Sequence, residues 1–182
     1  QDGHVVVKFS YEGEWNSVLS KIGQMPIPPY IRRDPVEEDR EWYQTVYAAK
    51  ECAIAAPTAG LHFTEEMLNA LRGKGVSVVY ITLHVGAGTF KPVKVEWIEG
   101  HRMESEWFEV GGEAVAQIQK AKAGGGRVVC VGTTSVRALE QAAAGGEFRS
   151  AQGETGLFIY PGFQFRVTDA MITNFHLTKS TL

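Results

Sequence analysis

Two continuous apolar runs alternate with two amphipathic runs between residues 76 and 144, and this order most restricts the possible fold. The runs "VSVVYITL" (76–83) and "RVVCVG" (127–132) are rich in β-branched residues without polar alternation, which predicts strands buried on both faces. The runs "EAVAQIQKAKA" (113–123) and "SVRALEQAAA" (135–144) are each followed by glycines and predict helices. Strand, helix, strand, helix is the order of an α/β fold with a largely parallel sheet and flanking helices.

Weaker patterns predict the remaining elements. Apolar residues at helical spacing predict a short helix from Trp15 to Ile22, which Gly23 ends. Thr64 is suited to cap a helix that runs to about Leu71, with two glutamates in its first turn. Four prolines make residues 25–35 an extended connector. Further strands are predicted at residues 4–9, 52–56, 157–160 and 166–175.

The composition is that of an ordinary globular protein, with 44% apolar and 21% charged residues and a formal net charge of −3. This charge predicts no basic field over the whole chain, although a local basic patch could still bind RNA. Cys52 and Cys130 lie far apart, with no second Cys or His at metal-ligand spacing, which argues against a disulfide framework or a zinc site. With no membrane-length apolar run and no signal peptide, we expect an intracellular protein.

Three loops with polar side chains follow predicted strands: "APTAGLHF", "HVGAGTF" and "GTTSVR". Because ligands of α/β sheets bind beyond the carboxyl ends of the strands, we expect these loops to form one cleft. His62 and His84 are candidates for proton transfer, since histidine titrates near neutral pH. The alternative for each histidine is a half-buried ring bonded to a carbonyl group.

Arg137 lies in the first turn of a predicted helix, where a cation opposes the helix dipole. Such an arginine indicates an anionic partner, a carboxylate or phosphate, near the helix N-terminus that Thr133 or Thr134 would cap. The alternative is an ion pair with Glu140, three residues later. The "GAG" turn at 86–88 does not match a dinucleotide-binding fingerprint, because Lys91 occupies the third glycine position.

Other polar clusters have two interpretations each. "HRMESEWFEV" (101–110) is either a solvated face or part of a site. Asn174, His176 and Lys179 follow a predicted strand, and their types suit either recognition of a polar ligand or a simple polar turn. Arg32 and Arg33 could contact a phosphate backbone or only solvent.

Seven segments occur in an order that resembles a known family: "MPIPPYIRR", "YQTVYA", "AAPTAGLHFT", "LHVGAGTFKPV", "HRMESEWFEV", "VGTTSVRALE" and "FIYPGFQFRVTDAMITNFHLTKSTL". Together they resemble the S-adenosylmethionine:tRNA ribosyltransferase-isomerase family of queuosine biosynthesis. The resemblance implies an α/β catalytic domain (residues 13–182) and the last strand of a small inserted β-barrel domain (residues 1–12). It also implies a fragment, which agrees with a first residue other than Met.

The resemblance implies a cytoplasmic enzyme, favoured as a monomer, that uses S-adenosylmethionine as a ribosyl donor and no metal. Its tRNA partner would carry 7-aminomethyl-7-deazaguanine at the anticodon wobble position. The ribosyl group would be transferred and rearranged to give epoxyqueuosine, with loss of adenine and methionine. By their motifs, we expect His62, His84, His101 and Glu106 to be catalytic and Arg32 and Arg33 to contact tRNA. Expected substrate-binding residues are Thr58, Gly60, Gly86, Gly88, Thr89, Thr133, Thr134, Ser135, Arg137, Tyr160, Asn174, His176 and Lys179.

One position departs from the family pattern. The family commonly has His-x-Met-His-Ser-Glu where this chain has "HRMESE", so Glu104 replaces a histidine. Either this position is not catalytic or proton handling differs here. Two other functions remain open: a class I methyltransferase, which would need a glycine-rich loop after its first strand, and a non-catalytic RNA-binding module, which would need stacking aromatics on a basic face.

Overall fold

The computed structural model describes residues 5–28, 30–50, 53–86, 88, 93 and 95–176 of the chain. Its five α-helices are Trp15–Ile22 (α1), Asp39–Trp42 (α2), Glu65–Gly73 (α3), Gly112–Ala123 (α4) and Thr133–Ala142 (α5). Its strands are Thr82–Leu83 (β1), Glu106–Val110 (β2), Val129–Val131 (β3), Ala151–Thr155 (β4) and Ala170–Ile172 (β5). Short 3-10 helices lie at Thr58–His62 and Ile98–Gly100.

Strand β2 is the centre of a three-stranded antiparallel sheet in the order β1-β2-β4. Its side chains alternate between buried and half-buried positions, so Glu106, Phe108 and Val110 point to the core. Strands β3 and β5 form a separate parallel pair, with Cys130 opposite Met171. The described part of the chain is therefore a mixed α/β structure built on two small sheets.

Helix α5 lies at the centre of the packing. It contributes Val136, Ala138, Leu139 and Ala142 to a core that also includes the inward side chains of β2 and one face of α4. Gly132 joins β3 to α5 with a φ of 86°, a left-handed conformation that favours glycine and turns the chain directly into the helix. The first turn of α5 is thereby fixed against the end of β3.

The helices agree with their sequence patterns. Trp15–Ile22 forms the predicted helix, and the N–H of Gly23 bonds to the carbonyl of Leu19 at its end. Thr64 caps α3 as predicted, because its Oγ1 accepts a hydrogen bond of 3.2 Å from the Met67 N–H. The helices predicted at residues 113–123 and 135–144 correspond to α4 and α5.

The strand predictions need correction. The prediction of a largely parallel sheet holds for β3 and β5 but is wrong for the three-stranded sheet, which is antiparallel. Of residues 76–83 only Thr82 and Leu83 are in a strand, and Val76 and Tyr80 are each nearly half exposed, so the run is not buried on both faces. The described residues of 4–9, 52–56 and 157–160 are in no strand. These runs have β-branched residues but no neighbouring strand among the described residues to complete a hydrogen-bonded ladder.

Within the described ranges, no helix is long and apolar enough to cross a membrane. The same residues hold no group of three His, Cys, Asp or Glu side chains arranged to bind a metal ion.

Candidate functional site

A buried ion pair between Arg137 and Glu106 connects four segments of the fold. Both side chains are at least nine-tenths buried, and Nη1 of Arg137 donates to Oε2 of Glu106. The Nε of Arg137 donates to the Leu157 carbonyl at 3.0 Å, and Oε1 of Glu106 accepts from the Gly86 N–H at 2.8 Å. The pair therefore fixes α5, β2, the loop after β1 and the segment after β4 relative to one another.

This pair decides between the two interpretations of Arg137. An anionic partner is present, but it is the carboxylate of Glu106 from the same chain. The alternative partner, Glu140, instead accepts three hydrogen bonds from the backbone of residues 166–168. Arg137 and Glu106 consequently hold the surrounding loops in place through charge-assisted hydrogen bonds.

A cavity of about 380 Å³ lies beside Arg137. The first turn of α5 forms one wall, and Thr168 and Asp169, ahead of β5, form part of another. The lining is mainly apolar and aromatic, with a few polar groups, as is typical of sites for small organic ligands. The full lining is Met103, Thr133, Val136, Arg137, Leu157, Phe158, Ile159, Phe165, Thr168, Asp169, Ala170 and Met171.

Asp169 contributes a carboxylate, paired with Lys122, to the wall of this cavity. Its carboxylate accepts hydrogen bonds from the Val128 N–H at 2.7 Å and from Nζ of Lys122 at 3.2 Å. The hydrogen bond from the Val128 N–H, and to a smaller extent that from Lys122, lowers the pKa of Asp169 below its ordinary value. Nearby, burial raises the pKa of the Cys130 thiol, whose Sγ lies 3.5 Å from Oγ1 of Thr168. Asp169 is therefore ionised at neutral pH, while Cys130 stays a neutral, buried thiol.

A larger groove of about 810 Å³ contains His84. The groove runs between residues 43–50, residues 53–57, residues 78–85 and the start of α4, and Thr134 and Ser135 of α5 also line it. The His84 ring packs against Trp107 with 4.8 Å between ring centroids. Its Nε2 is buried and has no hydrogen-bond partner among the described residues. A buried ring nitrogen without a partner costs free energy unless a ligand or water satisfies it.

The three side chains predicted to share one cleft lie in different places. His84 lines the larger groove and Arg137 lines the smaller cavity. His62 is exposed at the end of the 3-10 helix Thr58–His62 and lines neither of them. Instead of the single predicted cleft, the structure has two neighbouring cavities that share the first turn of α5. Thr133 lines the smaller cavity, and Thr134 and Ser135 line the larger groove.

His101 lies beside the smaller cavity. Its ring packs edge-on against Phe158 at 5.0 Å, and Phe158 in turn contacts Tyr160 at 5.6 Å. Phe158 lines the cavity. The predicted site residues His101 and Tyr160 therefore contact a wall residue without lining the cavity themselves.

Glu104 stands where the resembled family commonly has His. It packs so closely on Gly88 that a Cβ added to Gly88 would lie 2.5 Å from Oε2 of Glu104. Gly88 is therefore required for this contact.

The other predicted residues have varied surroundings. Arg33 is paired with Asp39 through two hydrogen bonds of 2.6 and 2.7 Å, so the charge of Arg33 is balanced within the chain. Arg32 is exposed. Thr58 is half-buried, and buried Gly60 leaves room for the Tyr47 hydroxyl, which a Cβ would displace. Asn174 is half-buried and His176 is exposed, with Nε2 of His176 lying 3.5 Å from the Thr173 hydroxyl. Thr89 and Lys179 lie outside the described residues.

Several residues that build the smaller cavity were missed by sequence reasoning: Met103, Phe158, Phe165, Thr168 and Asp169. Glu140 was considered only as a partner for Arg137. One signal could have identified it, because Glu140 falls on the apolar stripe that Val136, Leu139 and Ala143 form at helical spacing. An acidic residue at a core position needs hydrogen-bond partners within the fold.

The chain matches, over residues 1–182, the model of a family described as queuosine biosynthesis protein. Two relatives, each named S-adenosylmethionine:tRNA ribosyltransferase-isomerase, come from Xylella fastidiosa strains M23 and M12. Each is 56% identical over 177 residues, which are 97% of this chain and 51% of the relative. The chain thus spans about half the length of these curated relatives.

A solved structure agrees with these relatives. The crystal structure of S-adenosylmethionine tRNA ribosyltransferase from Thermotoga maritima is similar with a TM-score of 0.54 and 40% sequence identity, over 68% of this chain and 38% of that one. The match of the family model to the whole chain, together with these identities, means that the chain belongs to the queuosine biosynthesis protein family.

Proposed function

We propose that the protein transfers and isomerises the ribosyl moiety of S-adenosylmethionine onto the aminomethyl group of 7-aminomethyl-7-deazaguanine in tRNA. The products are epoxyqueuosine in the tRNA, free adenine and methionine. The observation that carries this proposal is the 56% identity, over 97% of the chain, to relatives named for this activity. A tRNA substrate implies that the protein acts in the cytoplasm, and we propose that it does so as a monomer without a metal.

The smaller cavity is the proposed site for S-adenosylmethionine. Its volume of about 380 Å³ and its aromatic and aliphatic lining suit a nucleoside. The carboxylate of Asp169, which also pairs with Nζ of Lys122 at 3.2 Å, is the proposed partner of the positively charged sulfonium. The N–H groups in the first turn of α5, beginning at Thr133, would bind the methionine carboxylate. Arg137 acts here through its hydrogen bonds to the cavity wall rather than as the direct anion partner.

The reaction requires a base that removes a proton from the carbon beside the sulfonium and a group that frees the attacking amine. His101 is the proposed acceptor of the proton beside the sulfonium, since its ring packs on Phe158, which lines the proposed S-adenosylmethionine cavity. His84 lines the larger groove and is the proposed base for the attacking amine, because its buried Nε2 has no partner among the described residues. His62 is the weaker candidate because it is exposed and apart from both cavities.

The tRNA would approach through the larger groove, whose wall contains His84 and the aromatic residues Tyr43, Tyr47 and Tyr80. Arg32 is the proposed phosphate contact, whereas Arg33 is committed to Asp39. Asn174, His176 and Lys179 remain proposed contacts for the base or ribose, and Thr89 for the substrate. We keep residues 1–12 as the proposed end of an inserted β-barrel domain, in which residues 5–12 form no strand in this structure, and residues 13–182 as the proposed α/β catalytic domain.

The test is to incubate the intact protein with S-adenosylmethionine and tRNA that carries the precursor base, and to follow adenine and methionine by mass spectrometry. We expect both products from the wild type, and a decrease in rate of roughly 10²- to 10⁴-fold for His84→Gln if His84 is the general base. Lys74→Gln, at an exposed position just after α3 that lines neither cavity, is the control and should keep most of the activity. S-adenosylhomocysteine and methylated RNA would instead indicate a methyltransferase, and tRNA binding without any product would indicate a binding module.

A further inference from the structure

Glu140 is a buried acidic residue that the proposed chemistry does not use. It lies on α5 and is 2% exposed. Its Oε2 accepts a hydrogen bond of 2.9 Å from the Arg166 N–H, and its Oε1 accepts from the N–H groups of Val167 and Thr168 at 3.1 and 2.8 Å. Both oxygens act as acceptors. Three backbone donors compensate for removing the carboxyl group from water.

The backbone that Glu140 binds is one wall of the smaller cavity. Thr168 and Asp169 line that cavity, whereas Glu140 itself does not. The segment is also fixed at its other end, where the Asp169 carboxylate accepts from the Val128 N–H at 2.7 Å. Between these two anchors, the wall has little freedom to shift, because each anchor binds backbone groups directly.

We propose that Glu140 is a positioning residue of the S-adenosylmethionine site: through the N–H groups of residues 166–168 it holds Thr168 and Asp169 at the distance that the ligand requires. This inference rests on the proposed function, since it takes the smaller cavity as the site for that ligand. A core residue of similar size without a carboxylate could fill the same space, but it could not accept three hydrogen bonds from one turn of backbone.

Glu140→Gln is the sharpest variant, because it keeps the size and shape of the side chain. The amide oxygen can still accept from two of the three donors, but the amide nitrogen then faces a backbone N–H, and one hydrogen bond is lost. The N–H groups of residues 166–168 should exchange with deuterium roughly tenfold faster in this variant, while the core of α4 and β2 stays protected. The affinity for S-adenosylmethionine, measured by calorimetry, should fall by roughly tenfold.

The change in KM relative to kcat distinguishes a positioning role of Glu140 from a role in overall stability. A displaced wall weakens binding of the ligand in its ground and transition states alike, so KM for S-adenosylmethionine should rise about tenfold while kcat changes little. Glu147→Gln, an exposed glutamate just after α5, is the matched control and should leave KM and exchange unchanged. Glu140→Asp keeps the charge but withdraws the oxygens by one methylene, and should raise KM in the same direction.

Three results would overturn the inference. The first is an unchanged KM in Glu140→Gln, and the second is a loss of kcat without a change in KM. The third is failure of both Glu140→Gln and Glu140→Asp to fold, which would make Glu140 a residue of folding alone. If the wild type itself fails to bind S-adenosylmethionine, the proposed function is wrong. An active wild type with an unaffected variant removes only this inference.

Discussion

Glu106 is an acidic residue at an inward position of a strand, where apolar residues are normally found. Phe108 and Val110 occupy the next two inward positions of β2 and belong to the core. The carboxylate is compatible with burial because Arg137 and the Gly86 N–H both bind it. A buried pair of this kind is not a large source of stability by itself, but removing one partner leaves an uncompensated charge in the core.

Replacing Glu106 with Gln should therefore lower the free energy of unfolding by about 3–5 kcal/mol, since the Arg137 guanidinium stays buried without its counter-charge. Urea denaturation followed by circular dichroism measures the change. Glu109→Gln is the control on the same strand: its pair with Lys50 is solvent-exposed, so its loss should cost only about 0–1 kcal/mol. Equal losses of stability in the two variants would contradict the role assigned to the buried pair.

At the level of elements, the sequence predicted helices well and strands poorly. Local signals determine helix ends, such as Thr64 before α3 and Gly23 after α1, and the structure agrees with both. Strands depend on partners far along the chain. β4 (Ala151–Thr155) is polar and contains a glycine, so no local pattern indicates it, yet it pairs with β2 along its whole length. β2 lies within a run of charged residues, so the sequence pattern does not predict this strand either.

Thr64 offers a direct test of the local signals. Thr64→Ala should lower the free energy of unfolding by about 1 kcal/mol, because the Met67 N–H loses the hydrogen bond that Oγ1 provides. Thermal denaturation measures the loss as a lower Tm. Thr64→Ser keeps the hydroxyl and should stay within a few tenths of a kcal/mol of the wild type. A serine variant as unstable as the alanine variant would show that the methyl group, rather than the cap, matters.

For the whole molecule, the sequence identified the motifs but not how they divide between the two cavities. "APT", "LHVG" and "TTSVR" were expected around one cleft because their loops follow strands. The structure places His84 and Ser135 on the larger groove and Arg137 on the smaller cavity, with α5 contributing to both. The pairing of Arg137 with Glu106, 31 residues away, fixes this division, and contacts at such a separation have no local signature.

Acid stability is a property of the whole chain, because it sums the protons that every carboxyl group takes up on unfolding. Hydrogen bonds from Arg33 and the Val36 N–H lower the pKa of Asp39 from 3.8 to about 2. Between these two values the unfolded chain binds a proton that the folded chain does not. The stabilisation from Asp39 is therefore complete above about pH 4 and decreases as the pH falls toward 2.

We accordingly expect the free energy of unfolding of the wild type to decrease between pH 4 and pH 2 more steeply than that of Asp39→Asn, which has no carboxyl group to titrate at this position. The gap in stability between the two proteins should narrow steadily over this range, as measured by urea denaturation at each pH. Asp34→Asn, an exposed position in the same segment, should follow the wild type. Parallel curves for the wild type and Asp39→Asn would mean that the Arg33–Asp39 pair does not hold the carboxylate ionised in the folded protein.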